Sequence, residues 1–279
     1  MIMRVGFIGT GSMGSILIEA FIRSGALNPE HIVATNRTLA KAELLAEKYP
    51  GMQVARSSKE VTVGADLLFL CVKPSEYKAV IDEIQDHALP GQIVISITSP
   101  VLIRHLEELL PSKIAKIIPS ITNFVLSGAT LCIYGDRLTP EDKELLDNLF
   151  SHVSAPIRVS EQYTRISSDL SSCGPAFLAY FVQKFVEAAV DTTGISEEEA
   201  TQLASEMTLG TGKLLTTGGF SPAQLQKRVA VPGGITAEGL RLMEKELCGV
   251  FYDLIRTTHS KYEEDLEKVE ARFFGTKVD

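Results

Sequence analysis

Residues 4–24 read RVGFIGTGSMGSILIEAFIRS: a short apolar run, then Gly9, Gly11 and Gly14 within six positions, then an amphipathic stretch. Three glycines at this spacing say little alone, because glycine-rich turns are common. Placed between a strand and a helix, they predict the first βα turn of a dinucleotide-binding sheet. Gly9 permits the tight turn, Gly11 lets the backbone approach a pyrophosphate, and Gly14 lets helix and strand pack closely. The helix start adds unpaired N–H groups and a partial positive charge for the phosphates.

The chain keeps to that plan as far as Ser160. Short β-branched or apolar runs recur as RVGFIG, HIVATN, MQVA, DLLFLCV, QIVISI, AKIIPS, TLCIYG and PIRVS, with amphipathic segments between the early ones. Near-continuous apolar strands alternating with helices predict a doubly wound, mainly parallel α/β sheet covered on both faces. Thr139-Pro140-Glu141-Asp142 predicts a capped helix start. After Ser160 the strand signal stops. Residues 165–191 read as a long apolar helix interrupted at Gly174-Pro175, and Ser196 with Glu199 predicts a capping box opening a helix to about Thr217. The expected division is a Rossmann domain over residues 1–160 and an all-helical domain over 161–279. Helices this apolar cannot all bury their faces in one small domain, so the second half is expected to form a homodimer.

Composition removes other classes. A formal net charge of −8 argues against nucleic acid, whose phosphates demand a basic face. Cys71, Cys132, Cys173 and Cys248 are far apart, without metal-ligand spacing, and read as free thiols of a reducing cytoplasm. No metal or membrane partner is expected, no secretory leader is read at the start, and the five histidines are scattered. At the end of the second strand, where an acid would select the ribose hydroxyls of NAD, stand Asn36, Arg37 and Thr38. An arginine fork without a carboxylate suits a 2′-phosphate, so NADPH is favoured over NADH. Val72, Lys73 and Pro74 end the fourth strand at its carboxyl edge, where such sheets bind ligands.

GFIGTGSMG, FLCVKP, SSCGPAF and VPGGIT, in that order, resemble the pyrroline-5-carboxylate reductase family over roughly residues 3–265. The resemblance implies a Rossmann domain followed by a helical dimerisation domain, with dimers often assembled into rings. It also implies reduction of the cyclic imine Δ1-pyrroline-5-carboxylate to proline with NADPH or NADH. Carried onto this chain, the cofactor loop falls on Ile8, Gly9, Thr10, Gly11, Ser12, Met13 and Gly14, and the ribose-phosphate contacts on Asn36 and Arg37 with Thr38 beside them. Further cofactor contacts fall on Ser58, Val72, Lys73, Pro74 and Ser99. The substrate loop becomes Val231, Pro232, Gly233, Gly234, Ile235 and Thr236. The resemblance gives Thr236 the hydrogen bond to the imine nitrogen, and nearby backbone N–H groups the substrate carboxylate. Thr236 also reads as a helix cap or first-turn residue, and both roles can coexist.

Several positions depart from the family pattern, mostly on the substrate side. Val231 replaces a serine that helps hold the carboxylate, and Ile118-Pro119-Ser120-Ile121-Thr122 stands for MPNTP. Leu225–Val229 lacks the acid of LKDxV, TGGFSP lacks that of TGEHP, Pro100 replaces a glycine and Ser58 an asparagine. Losing one hydrogen bond to a charged group costs about 1.5–3 kcal/mol, or ~10- to 150-fold in rate. Such erosion resembles a divergent member of the kind encoded beside late-competence genes in bacilli. Three readings therefore stand: a reductase of this imine, a reductase of another imine or oxo acid, and a cofactor-binding regulatory protein without catalysis. A β-hydroxyacid dehydrogenase would carry a lysine and a nearby asparagine on the interdomain helix, and SSDLSSCGPAFLAYF has neither.

Overall fold

All eight apolar runs become strands of one sheet. In the computed structural model, which describes residues 3–275, they are β1 (Val5–Ile8), β2 (Ile32–Thr35), β3 (Gln53–Val54), β4 (Leu67–Leu70), β5 (Ile93–Ser96), β6 (Lys113–Ile118), β7 (Ala129–Tyr134) and β8 (Ala155–Arg158). Their order across the sheet is β3-β2-β1-β4-β5-β6-β7-β8. Every neighbouring pair is parallel except β6 and β7, where Ala115 faces Tyr134 and Ile118 faces Leu131. The stretch between these two holds only a 3₁₀ turn, Ile121–Val125. A parallel return needs a crossover of a dozen or more residues, so the chain turns back beside its own strand.

The crossovers are α1 (Ser12–Arg23), α2 (Ala40–Lys48), α3 (Ser58–Thr62), α4 (Tyr77–Ile84), α5 (Ile103–Glu107) and α6 (Pro140–Ser151). Strand alternation sends Phe7 and Phe69 to one face, with Phe21 and Phe150, and Ile8, Leu68 and Leu70 to the other, with Tyr77 and Ile81. The Phe7 and Phe69 rings stack at 4.6 Å, and Phe21 meets Phe150 edge-on at 5.3 Å. Both faces are covered, which is why these strands read as apolar runs rather than alternating ones. Thr139 and Asp142 cap α6 reciprocally around Pro140.

The rest is helical: α7 (Thr164–Ser168), a π-helical turn (Asp169–Cys173), α8 (Gly174–Thr193), α9 (Glu197–Leu215), α10 (Pro222–Val229), α11 (Ile235–Glu246) and α12 (Val250–Phe274). Gly174-Pro175 does not break the long helix as expected. The widened turn on its N-terminal side absorbs the proline, whose missing N–H would have served the Ser171 carbonyl. Ser120 Oγ donates to that carbonyl instead, at 3.1 Å. Ser196 caps α9, but the Glu199 carboxylate accepts from the Ser196 hydroxyl rather than the backbone, and the helix ends at Leu215.

Contacts divide the chain elsewhere than at residue 160. One unit reaches Gly174 and resumes at Thr258; the other is Pro175–Thr257. The C-terminal part of α12 joins the first unit because Val269 and Phe273 are buried in its second core. The second unit buries little: Val186, Ala200 and Ala204 form its core, while Phe181, Phe185, Leu203 and Tyr252 are exposed.

His105 is fully buried in the first unit, 5.4 Å from the Phe273 ring. Its Nδ1 accepts the Leu102 N–H at 3.1 Å, which marks the neutral ring. Burial holds its pKa below the ordinary 6.5, the Arg104 and Lys116 charges add to this, and Glu270 opposes it. The neutral ring therefore contributes fully above pH 6.5, and that contribution is lost as pH falls from there through the lower folded-state value. His105→Asn keeps an acceptor for Leu102 without the titration. Urea unfolding between pH 7.5 and 5 is expected to show the parent losing stability faster than the variant; parallel curves would refute the assignment.

Candidate functional site

In the first unit the carboxyl ends of β1, β2, β4 and β5 share one edge of the sheet, where ligands of such folds bind. Gly9 is wedged there, at φ +103°. Its N–H donates to the Thr35 carbonyl at 2.9 Å, and a Cβ on it would lie 2.5 Å from the Cys71 carbonyl. A Cβ on Gly14 would lie 2.2 Å from the Gly9 carbonyl. Gly11 differs: a Cβ there meets nothing within 4 Å. Two glycines are thus required by the protein's own packing, and the third faces open space that a ligand backbone contact would use.

The loop carries further marks of a phosphate cradle. Gly11 caps α1 without any side-chain hydrogen bond, and no acid lies in the first turn. The first N–H groups of α1 are therefore free for an anion. Thr10 is buried, and its hydroxyl has no partner among the described residues. An orphaned buried hydroxyl beside open helix amides fits the phosphates of a dinucleotide. Ser12 is exposed and Met13 half-buried, while the Ile8 side chain belongs to the core. The neighbouring Cys71 thiol is pushed well above its ordinary pKa by burial, which keeps it neutral beside the loop.

The other expected cofactor residues fall into two groups. Asn36 spends both ends of its amide inside the protein: Oδ1 accepts the Thr10 N–H at 3.1 Å and Nδ2 donates to the Thr38 carbonyl at 3.0 Å. It holds the glycine loop to the end of β2. Arg37 points outward, its side chain 87% exposed and ion-paired with Glu76. Thr38 is exposed as well. Val72 abuts Gly9, Lys73 is exposed and caps the Pro74–Glu76 turn, and Pro74 opens it. Ser58 lies at the start of α3, its N–H donated to Glu83 at 2.8 Å. Ser99 Oγ lies 3.4 Å from Ser168 Oγ, which ties the segment after β5 to α7.

Sequence reasoning missed the groups that stitch this edge together. Tyr77 Oη donates to the Leu70 carbonyl at 2.8 Å, meets Ser96 Oγ at 3.0 Å and accepts the Ile97 N–H at 3.3 Å. Burial raises its pKa, so it pins β4 to β5 rather than moving protons. Asp169, in the π-helical turn, accepts from Arg165 at 2.7 Å and from Thr258 at 2.8 Å. Lys116 is fully buried on β6 and reaches Glu161 at 3.2 Å; burial lowers its pKa against the pull of that carboxylate. No periodicity signals the Lys116–Glu161 and Asp169–Thr258 pairs, whose members lie 45 and 89 residues apart.

The expected substrate loop lies in the second unit. Val231 accepts the Gly234 N–H at 2.9 Å to close the turn, with Gly233 at φ +73°. Gly234 caps α11 without a side-chain bond, so the amides that follow it are open. Thr236 is in the first turn rather than at the cap; it is exposed, and Ile235 is 94% exposed. Among the described residues no cluster of His, Cys, Asp or Glu could hold a metal ion, and no helix is long and apolar enough to cross a membrane.

Residues 161–265 match the family model described as pyrroline-5-carboxylate reductase dimerisation. Residues 4–100 match the one described as NADP oxidoreductase, coenzyme F420-dependent. The chain is 39% identical to ComE operon protein 4 of Bacillus subtilis, over 97% of this chain and 99% of that one. It is 31% identical to pyrroline-5-carboxylate reductase 3 of Rattus norvegicus, over 87% of this chain and 88% of that one. The structure of a pyrroline-5-carboxylate reductase from Coxiella burnetii superposes with a TM-score of 0.83 at 26% identity, covering 98% of this chain and 99% of that chain.

Gly11→Ala separates cradle from scaffold. With nothing near the new Cβ, the melting temperature is expected to stay within about 2 °C. NADPH affinity, read by fluorescence titration, is expected to fall at least ~10-fold as the methyl occupies the pyrophosphate's place. Unchanged affinity would remove Gly11 from the site.

Proposed function

The chain belongs to the pyrroline-5-carboxylate reductase family, and on that premise we propose that it reduces Δ1-pyrroline-5-carboxylate to L-proline with NADPH. The observation that carries this reading is the glycine loop, with its open Gly11 and the unpartnered hydroxyl of buried Thr10. Bound NADPH supplies the hydride. The α1 amides and Thr10 hold its phosphates, and Arg37 takes the 2′-phosphate as a fork takes an anion.

On the substrate side, the open amides at the start of α11 hold the carboxylate, and the Thr236 hydroxyl orients the imine nitrogen. Hydride adds to the imine carbon most readily when the nitrogen is protonated, so the product amine needs no proton drawn from a strong general acid. Positioning and electrostatics then carry most of the rate. Val231 contributes no hydroxyl to the carboxylate, which leaves more of that task to the backbone.

The acting species is a homodimer in a reducing cytoplasm. Exposed Phe181, Phe185, Leu203 and Tyr252 give the helical unit an apolar surface in need of cover, and the matched family model is named for dimerisation. A second reading is an NADP-binding member with an altered substrate or lost catalysis, in a regulatory or competence-associated role. Val231, Pro100 and the 39% identity to ComE operon protein 4 favour it.

Following NADPH oxidation with pyrroline-5-carboxylate separates the two, since tight cofactor binding without turnover supports the second. If the first holds, Thr236→Ala lowers kcat/KM about 10- to 150-fold, the worth of one hydrogen bond to a charged group. Its NADPH affinity stays unchanged; undiminished turnover would take Thr236 out of the chemistry. Arg37→Ala is expected to weaken NADPH at least ~10-fold and NADH less than ~3-fold. Equal losses would defeat the 2′-phosphate assignment.

A further inference from the structure

We infer that Glu76 sets cofactor preference by competing with the 2′-phosphate for Arg37, an inference that rests on the assignment of Arg37 to that phosphate. Arg37 follows β2 and Glu76 ends the turn after β4, and these two strands flank β1 in the sheet. The pair therefore joins the two loops on either side of the glycine loop, at the sheet edge where the adenosine ribose of such a cofactor rests.

Both backbones are fixed by other bonds, so the ion pair is the soft contact between them. Asn36 ties the Arg37 loop to Thr10 and Thr38. On the other side Pro74 opens the turn, the Glu76 N–H donates to the Lys73 carbonyl at 2.8 Å, and Arg272 of α12 donates to the Ser75 carbonyl at 2.6 Å. The guanidinium is 87% exposed and can swing; the Glu76 carboxylate, 34% exposed, sits on a turn that is held in place.

An exposed pair of this kind is weak, since water and salt screen it and two long side chains lose freedom to make it. A 2′-phosphate carries nearly two negative charges and offers the fork several oxygens, so it wins Arg37 from one carboxylate. The released Glu76 then stays nearby as a like charge and reduces the gain. NADH, with a neutral 2′-hydroxyl, neither displaces Glu76 nor is repelled by it. Glu76 thus narrows the advantage of NADPH over NADH, and its removal widens it.

The test is the affinity of full-length Glu76→Gln for NADPH and NADH by calorimetry, with 2′,5′-ADP and 5′-ADP as a second pair differing in the 2′-phosphate. NADPH and 2′,5′-ADP are expected to bind about 3- to 10-fold tighter than to the parent, and NADH and 5′-ADP to change less than ~2-fold. Raising salt from 50 to 500 mM should shrink the difference. Weaker NADPH binding would mean that Glu76 positions Arg37 for the phosphate, and would overturn the inference. No change, or equal change with both cofactors, would overturn it too. Arg37→Ala distinguishes the levels: if it leaves NADPH and NADH equally affected, the phosphate assignment falls and this inference with it. If it discriminates and Glu76→Gln does not, only the inference falls.

Discussion

The first unit depends on a backbone-to-backbone contact: Gly9 pressed between the ends of β2 and β4, with Gly14 pressed against Gly9. The Gly9 N–H donates to the Thr35 carbonyl while the Cys71 carbonyl leaves no room for a Cβ. Backbone approach this close is open only to glycine. It sets α1 tightly on β1, so the helix amides emerge at the sheet edge beside Asn36, Val72 and the Arg37–Glu76 pair. The candidate cofactor edge follows from that placement.

The edge is held from behind by buried polar groups, each with its partner. Tyr77 fastens β4 to β5, half-buried Ser99 fastens the segment after β5 to α7, Ser120 fastens the segment after β6 to the π-helical turn, and Asp169 fastens that turn to α12. Buried hydroxyls and charges are costly unless satisfied, so such bonds specify one arrangement more than they add stability. The π-helical turn belongs to this set. It lets a proline stand in a continuous helix and leaves a carbonyl for Ser120 to satisfy.

Much of the fold was legible because burial leaves a local trace. Strands covered on both faces must be apolar throughout, so DLLFLCV and QIVISI announce β4 and β5. The Thr139-Pro140 and Ser196 helix starts are equally local. Of the candidate site, the glycines were legible for the same reason. Asn36 was visible as a residue but not as a clamp, because its partners, Thr10 and Thr38, are chosen by the meeting of two loops. The reversal at β7 was missed since direction is written in the length of a connection rather than in the strand's residues.

By itself, then, the sequence determined the strands, the capped helices, the glycine turn and the absence of an acid after β2. Each depends on neighbours along the chain and on the solvent a residue must avoid. Tertiary structure alone decided which groups meet: Glu76 with Arg37, Lys116 with Glu161, Ser120 with the carbonyl that Pro175 leaves unserved. Those contacts join residues 39 to 51 positions apart. Charge and hydrogen bonding act through space, and only the folded sheet fixes that distance.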